Sequence, residues 1–198
     1  MRTNLAQNRM PDYVLQRPPG VCVWFTGRSG AGKSTTARVL TTLLREHGRE
    51  VTVLDVVPWL EKVAGEKTSE GKLMRKGHVA AEIVRHGGAV ICVTISSRPE
   101  IRRAVRELIG EDHFVEVLVE APPEVCWERK TSRPHKPTLS KRIKAWLRRI
   151  FRPEAQTRPA LDQPIHEPEL TLNTTARTPE ENARAIFQYL AEAGFVAG

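Results

Sequence analysis

The chain has 198 residues, of which 40% are hydrophobic, and this is enough apolar material for the core of a single domain. Its formal net charge is +8, and its three cysteines are too widely spaced for a disulfide framework or a metal-binding cluster. No apolar run approaches the ~20 residues of a membrane span, and no signal-peptide core stands at the start, so we expect a cytoplasmic protein without a membrane span.

Strands and helices alternate along most of the chain, after an N-terminal extension over residues 1–19. Strands are predicted at Val21–Phe25, Val51–Leu54, Ala89–Ile95, Phe114–Val119 and Leu170–Leu172, where the chain is mostly apolar. Helices are predicted at Thr35–His47, Glu70–His86, Pro99–Ile109, Pro122–Lys130 and Pro179–Ala193, most of them bounded by proline or glycine. This alternation predicts one α/β domain over residues 1–198, with a mostly parallel sheet covered by helices on both faces.

The first predicted strand runs into the pattern G-x-x-x-x-G-K-S, and a helix follows it. A strand, a glycine-rich loop and a helix in this order form a P-loop, so the three-layer fold is predicted to be of the P-loop NTPase type. In such a loop the backbone amides surround the phosphates, the lysine reaches the β- and γ-phosphates, and the serine hydroxyl binds Mg²⁺. The pattern predicts ATP and Mg²⁺ as cofactors. The predicted nucleotide contacts are Gly27, Arg28, Ser29, Gly30, Ala31, Gly32, Lys33, Ser34 and Thr35, with Ser34 as a metal ligand.

Other candidate site residues follow the later strands, because ligands of parallel sheets bind at the carboxyl ends of the strands. Asp55 ends "VTVLD" and is predicted to hold Mg²⁺ and to act in catalysis with Lys33; the alternative is a cap for the next turn. Ser96 contacts an acceptor or, as the favoured alternative, caps the helix after it. Trp59 stacks on a planar substrate or belongs to the core. Arg129 contacts nucleotide phosphates or lies on a solvated surface.

The positive charge is concentrated in one stretch. Between Arg129 and Arg158 the chain has 11 Lys/Arg and a single acidic residue, Glu154. We interpret residues 131–169 as a basic lid or insert, with an amphipathic helix at Leu139–Phe151. That helix packs on the domain as an ordinary surface helix, covers the phosphates as a lid, or contacts a partner or membrane surface.

Several stretches, taken together, resemble the adenylylsulfate (APS) kinases. These are "RPPGVCVWFTGRSGAGKSTTARVL", "VTVLD", "GHVAAEIVRHGGAVICVTIS", "FVEVLVEAPPEVCWERK" and "LDQPIHEPELTLNTT", and they span about residues 17–190. The resemblance implies an ATP-dependent kinase that uses Mg²⁺, acts on a small-molecule nucleotide and forms a homodimer. Ser96 and Arg75 match substrate-binding positions of the family, and Arg102 fits the helix that follows Ser96.

The chain departs from the family pattern at the acceptor side. The family has D-G-D after the second strand where this chain has "DVVPWL", and S-P-Y-R where this chain has "SSRP". Three hypotheses therefore stay open. The first is a kinase that phosphorylates APS or a related small acceptor through Trp59, Arg75, Ser96 and Arg102. The second is a nucleotide-binding pseudo-kinase with a regulatory role, and the third, less favoured, is a kinase acting on nucleic acid.

Overall fold

A computed structural model of the chain describes residues 18–55, 68–95, 98–132 and 167–196. The strands are β1 (Val21–Gly27), β2 (Val51–Leu54), β3 (Ala89–Val93), β4 (Phe114–Glu120) and β5 (Leu170–Asn173). The helices are α1 (Lys33–Glu46), α2 (Ser69–Arg85), α3 (Pro99–Ile109), α4 (Pro123–Thr131) and α5 (Pro179–Glu192). A 3₁₀ turn, Glu111–His113, precedes β4.

The five strands form one parallel sheet in the order β2-β3-β1-β4-β5. β1 lies at its centre and is buried along its whole length, because it is apolar on both faces. On one face, α1 and α5 cover residues that include Val23, Phe25 and Ile91. On the other face, α2 and α3 cover Trp24 and Cys92. The predicted three-layer α/β fold is therefore confirmed.

Within the described residues, each predicted strand and helix is present, and the differences lie at the ends. α1 begins at Lys33, two residues earlier than predicted, because Gly32 acts as its N-cap in the left-handed conformation. β3 ends at Val93, before the predicted end at Ile95, whose side chain is 64% exposed. Residues 1–17 and 133–166 lie outside the described residues. The N-terminal extension, the basic lid and the helix at Leu139–Phe151 therefore stay predictions. In the described part of the chain, no helix is long and apolar enough to cross a membrane.

Candidate active site

The P-loop joins the central strand to the first helix at the carboxyl edge of the sheet. Gly30 and Gly32 have backbone φ angles of 95° and 106°, which residues with a side chain rarely adopt. A Cβ at Gly30 would lie 2.3 Å from the carbonyl oxygen of Cys126 on α4. Glycine at this position is therefore required by both the loop conformation and the close approach of α4.

The N-terminus of α1 has the electrostatic character of a phosphate site. Gly32 provides no side-chain cap, and the first turn contains no acidic residue. The positive end of the helix dipole is therefore not neutralised by a carboxylate of its own first turn. Backbone N–H groups at a helix N-terminus, reached through a glycine-rich loop, are the recurring way in which proteins bind nucleotide phosphates. The predicted nucleotide contacts from Gly27 to Thr35 all lie in this loop or in the first turn of α1.

The side chain of Lys33 folds back over the loop and is 6% exposed. Its Nζ donates hydrogen bonds to the carbonyl oxygens of Gly27 at 2.8 Å and Arg28 at 2.6 Å. An ammonium group bonds more strongly to a charged phosphate oxygen than to a neutral carbonyl. Lys33 therefore lies at the P-loop with carbonyl partners that a phosphate can replace, and its contact with a nucleotide stays a prediction.

Thr174, which the sequence analysis did not select, follows the edge strand β5 and holds the P-loop from there. Its hydroxyl donates a 2.7 Å hydrogen bond to the carbonyl oxygen of Ala31, and its methyl group lies next to Gly32. Arg129 in turn holds Thr174, since its guanidinium donates to the hydroxyl at 2.9 Å and to the carbonyl oxygen at 3.0 Å. The position of Thr174 directly after β5, at the carboxyl edge, was the available sequence signal.

These contacts give Arg129 a defined place beside the P-loop. The sequence analysis offered either a phosphate contact or a solvated surface position for this residue. The structure ties its guanidinium to the P-loop through Thr174, at the end of α4. A direct phosphate contact stays a prediction.

Asp55 follows β2, and its side chain is partly exposed at the same edge of the sheet. β3 lies between β2 and β1, so Asp55 is two strand spacings, or about 10 Å, from the end of β1 along the edge. This spacing leaves room for a γ-phosphate and an acceptor hydroxyl between Asp55 and the P-loop. Lys76 on α2, a second residue that the sequence analysis did not select, donates a 2.8 Å hydrogen bond to the main-chain oxygen of Asp55.

The donor atoms at this edge fit a magnesium ion. Ser34 supplies a hydroxyl from the first turn of α1 and Asp55 a carboxylate, both partly exposed. Mg²⁺ prefers oxygen ligands, and in kinases it takes one or two from the protein and the rest from phosphates and water. Within the described ranges there is no cluster of three or more His, Cys, Asp or Glu that would form a metal site built from protein ligands alone.

The structure describes some of the predicted acceptor contacts and not others. Arg75 lies on α2, partly exposed, one residue before Lys76. Trp59 and Ser96 lie outside the described residues, so their roles stay predictions. α3 has Arg98 as its N-cap and shows no side-chain capping bond.

Arg102 is placed away from the expected acceptor contact. It is 5% exposed, and its Nε lies 3.1 Å from Oε1 of Glu116, which is 3% exposed. Glu116 pairs with Trp24 in the sheet register. Trp24 lies three residues before Gly27, the last residue of β1, so Glu116 is about 10 Å from the carboxyl edge of the sheet. These contacts give no support to a substrate-binding role for Arg102 and explain it as the partner of a buried carboxylate.

Arg106 and Glu169, both partly buried, complete this ion-pair cluster. Arg106 bonds both carboxylate oxygens of Glu169, at 2.6 and 3.1 Å, and lies 3.7 Å from Glu116. Glu169 also accepts a hydrogen bond from the main-chain N–H of Glu116. Burial raises the pKa of Glu116, and the charges of Arg102 and Arg106 oppose this rise. The cluster fixes the chain just before β5, and hence the strand that carries Thr174.

The parallel sheet, the P-loop after its central strand and the acidic residue after β2 define an ATP-dependent P-loop phosphotransferase. The family model for adenylylsulphate kinase matches residues 19–146. The adenylyl-sulfate kinase of Halothermothrix orenii is 34% identical over 92% of this chain and 95% of its own length. That of Rippkaea orientalis is 36% identical over 90% of this chain and 95% of its own. The chain therefore belongs to the adenylylsulphate kinase family.

Solved structures agree with this assignment. A Mycobacterium tuberculosis APS kinase, in complex with AMPPNP and APS, superposes with a TM-score of 0.68 at 24% identity, over 88% of this chain and 99% of that one. At this identity the match supports the fold. A hexameric APS kinase from Thiobacillus denitrificans gives a TM-score of 0.62 at 29% identity, over 91% of this chain and 30% of that one. The resemblance predicted from the sequence is confirmed, and the comparisons favour a kinase over a pseudo-kinase.

Proposed function

We propose that this protein transfers the γ-phosphate of ATP to a hydroxyl of adenylylsulfate, with Mg²⁺ as the metal cofactor. The observation that carries the proposal is the arrangement of Lys33 and Asp55 at one edge of the sheet, with β3 between their strands. Relatives that match most of this chain are adenylyl-sulfate kinases, and this supports APS as the acceptor. The three buried free thiols fit a reducing cytoplasm.

Each residue has a defined task in this reaction. The P-loop amides and Lys33 bind the β- and γ-phosphates and stabilise the charge that develops between them. Asp55 accepts the proton of the acceptor hydroxyl while the oxygen of that hydroxyl forms a bond to the γ-phosphorus. The bond from the γ-phosphorus to the β–γ bridging oxygen breaks and releases ADP. Ser34 and Asp55 would hold Mg²⁺, which neutralises charge on the phosphates when bound. Arg75, Trp59 and Ser96 are the proposed acceptor contacts.

A coupled assay of ADP release by the purified protein tests this function. We expect ADP to form from ATP and Mg²⁺ at a rate that rises with the APS concentration and saturates. The Lys33→Ala variant serves as the control for contaminating kinases, because it removes the phosphate-binding ammonium. ADP release that is the same with and without APS would show that APS is not the acceptor. It would then favour a different acceptor or the pseudo-kinase.

The homodimer implied by the resemblance is part of the same proposal. Light scattering on the purified protein is expected to give twice the 22.3 kDa mass of the chain. A mass of one chain, or of six as in the hexameric relative, would contradict the dimer and leave the catalytic proposal intact.

A further inference from the structure

Lys76 occupies a specific position between the ends of two strands. Its Nζ donates one hydrogen bond to the main-chain oxygen of Asp55 and another to that of Val93, each at 2.8 Å. The paired register of β2 and β3 ends at Leu54 and Cys92. Asp55 and Val93 are therefore the first residues past the last matched pair, and the ammonium joins the two strands where their own pairing stops.

The helix that carries Lys76 is itself firmly placed. Gly77, the next residue, is buried at the crossing of α2 and α3, and a Cβ there would lie 3.0 Å from a methyl group of Val105. The backbone of α2 is therefore packed closely against α3 at this point and has little freedom to shift. Bonds from an ammonium group are about twice as strong as neutral hydrogen bonds. Lys76 thus links Asp55 to a rigid part of the molecule.

We propose that Lys76 is a positioning residue for the phosphoryl transfer. It fixes the main chain at Asp55 so that the carboxylate points to the acceptor hydroxyl. This inference rests on the proposed function of Asp55. Catalytic groups need this kind of support, because a misplacement of about 1 Å is enough to reduce turnover by about 10²-fold. A lysine that only closed the strand ladder would stabilise the fold without affecting the chemistry of Asp55 in particular.

Turnover of three variants distinguishes positioning from stability. Lys76→Met keeps the length of the side chain and removes its charge, and Lys76→Arg keeps a donor. The control is Arg85→Met, which removes a charge from the exposed far end of the same helix, where Arg85 pairs with Glu82. We expect Lys76→Met to lower kcat at least about tenfold with the KM for ATP changed less than twofold. Lys76→Arg should recover part of the loss, and Arg85→Met should match the wild type. Wild-type kcat in folded Lys76→Met would overturn the proposal.

A double-mutant cycle tests whether Lys76 acts through Asp55. We expect Lys76→Met to cause no further loss of turnover in an Asp55→Asn background, because the group that it positions is already disabled. Losses that multiply would mean that Lys76 acts independently of Asp55, and the proposal would be wrong. If the wild type does not phosphorylate APS, the proposed function fails, and the same cycle is read on ATP hydrolysis without acceptor.

Hydrogen exchange gives a readout that does not require activity. In Lys76→Met, the peptide covering Val51–Asp55 should exchange faster than in the wild type, while in Arg85→Met it should not. If exchange at Val51–Asp55 is the same in both variants, Lys76 does not hold this strand end, whatever the enzyme phosphorylates.

Discussion

The substitution Thr174→Val tests how the P-loop is held in shape. Valine keeps the branched shape of threonine and places a methyl group where the hydroxyl was, so the change removes the hydrogen bonds of this side chain without opening a cavity. The hydroxyl donates a 2.7 Å hydrogen bond to the carbonyl oxygen of Ala31, inside the P-loop, and accepts one of 2.9 Å from Arg129. Arg129 keeps its second bond, to the main-chain oxygen of Thr174 at 3.0 Å. The variant therefore releases the loop while leaving most of its surroundings in place.

The expected magnitude follows from the bond that reaches the loop. A neutral hydrogen bond contributes about 0.5–1.5 kcal/mol net. If the binding conformation of the free loop becomes less favourable by that free energy, the dissociation constant for the nucleotide rises about 2- to 13-fold. The loss of the bond from Arg129 adds to the destabilisation of the fold. We therefore expect a lower melting temperature, by about 2–4 °C for each kcal/mol in a protein of this size.

Calorimetric titration with Mg²⁺ and AMPPNP measures the affinity, and a thermal melt measures the stability. Thr171→Val is the matched control, because Thr171 is exposed on β5, three residues before Thr174. The control should bind AMPPNP like the wild type. If Thr174→Val is folded and binds AMPPNP with wild-type affinity, the hydroxyl does not hold the P-loop, and the role derived for Thr174 is wrong.

Four further predictions follow from the site and its supports. Lys33→Ala should weaken ATP binding at least tenfold, as measured by calorimetry, because a charged hydrogen bond contributes ~1.5–3 kcal/mol. Asp55→Asn should leave ATP binding nearly intact and cut turnover by roughly 10²-fold; normal turnover would place the base elsewhere. Arg102→Met should lower the free energy of unfolding by ~3–5 kcal/mol in urea, because it leaves the buried Glu116 short of a partner, and the KM for APS should stay unchanged. Hydrogen bonds from Thr178 lower the pKa of Glu181, so its stabilising effect is present above the ordinary pKa of 4.5 and is lost as the pH falls through the lower, folded value. The melting temperature of Glu181→Gln should therefore be lower than that of the wild type at pH 7 and approach it in acid.

The sequence alone was sufficient for the fold class and for the place of the P-loop within it. Both depend on local patterns: continuous apolar runs mark buried parallel strands, and the P-loop is a contiguous sequence whose glycines, lysine and serine act together. The same reasoning placed Asp55 at the edge of the sheet, because it directly follows a strand. Within the described residues, the helices and strands predicted from neighbouring residues are correct apart from one or two residues at their ends.

The tertiary structure decided which side chains support that site and which do not. Thr174 reaches Ala31 across 143 residues of sequence, and Lys76 reaches Asp55 and Val93 from a helix whose own pattern shows only an amphipathic surface. Arg102 was a predicted acceptor contact, and the fold buries it beside the carboxylate of Glu116 on β4. A charged residue has the same letter whether it binds a substrate, holds a strand end or neutralises a buried acid. Its role depends on which distant groups the sheet and helices bring next to it, and that is determined by packing.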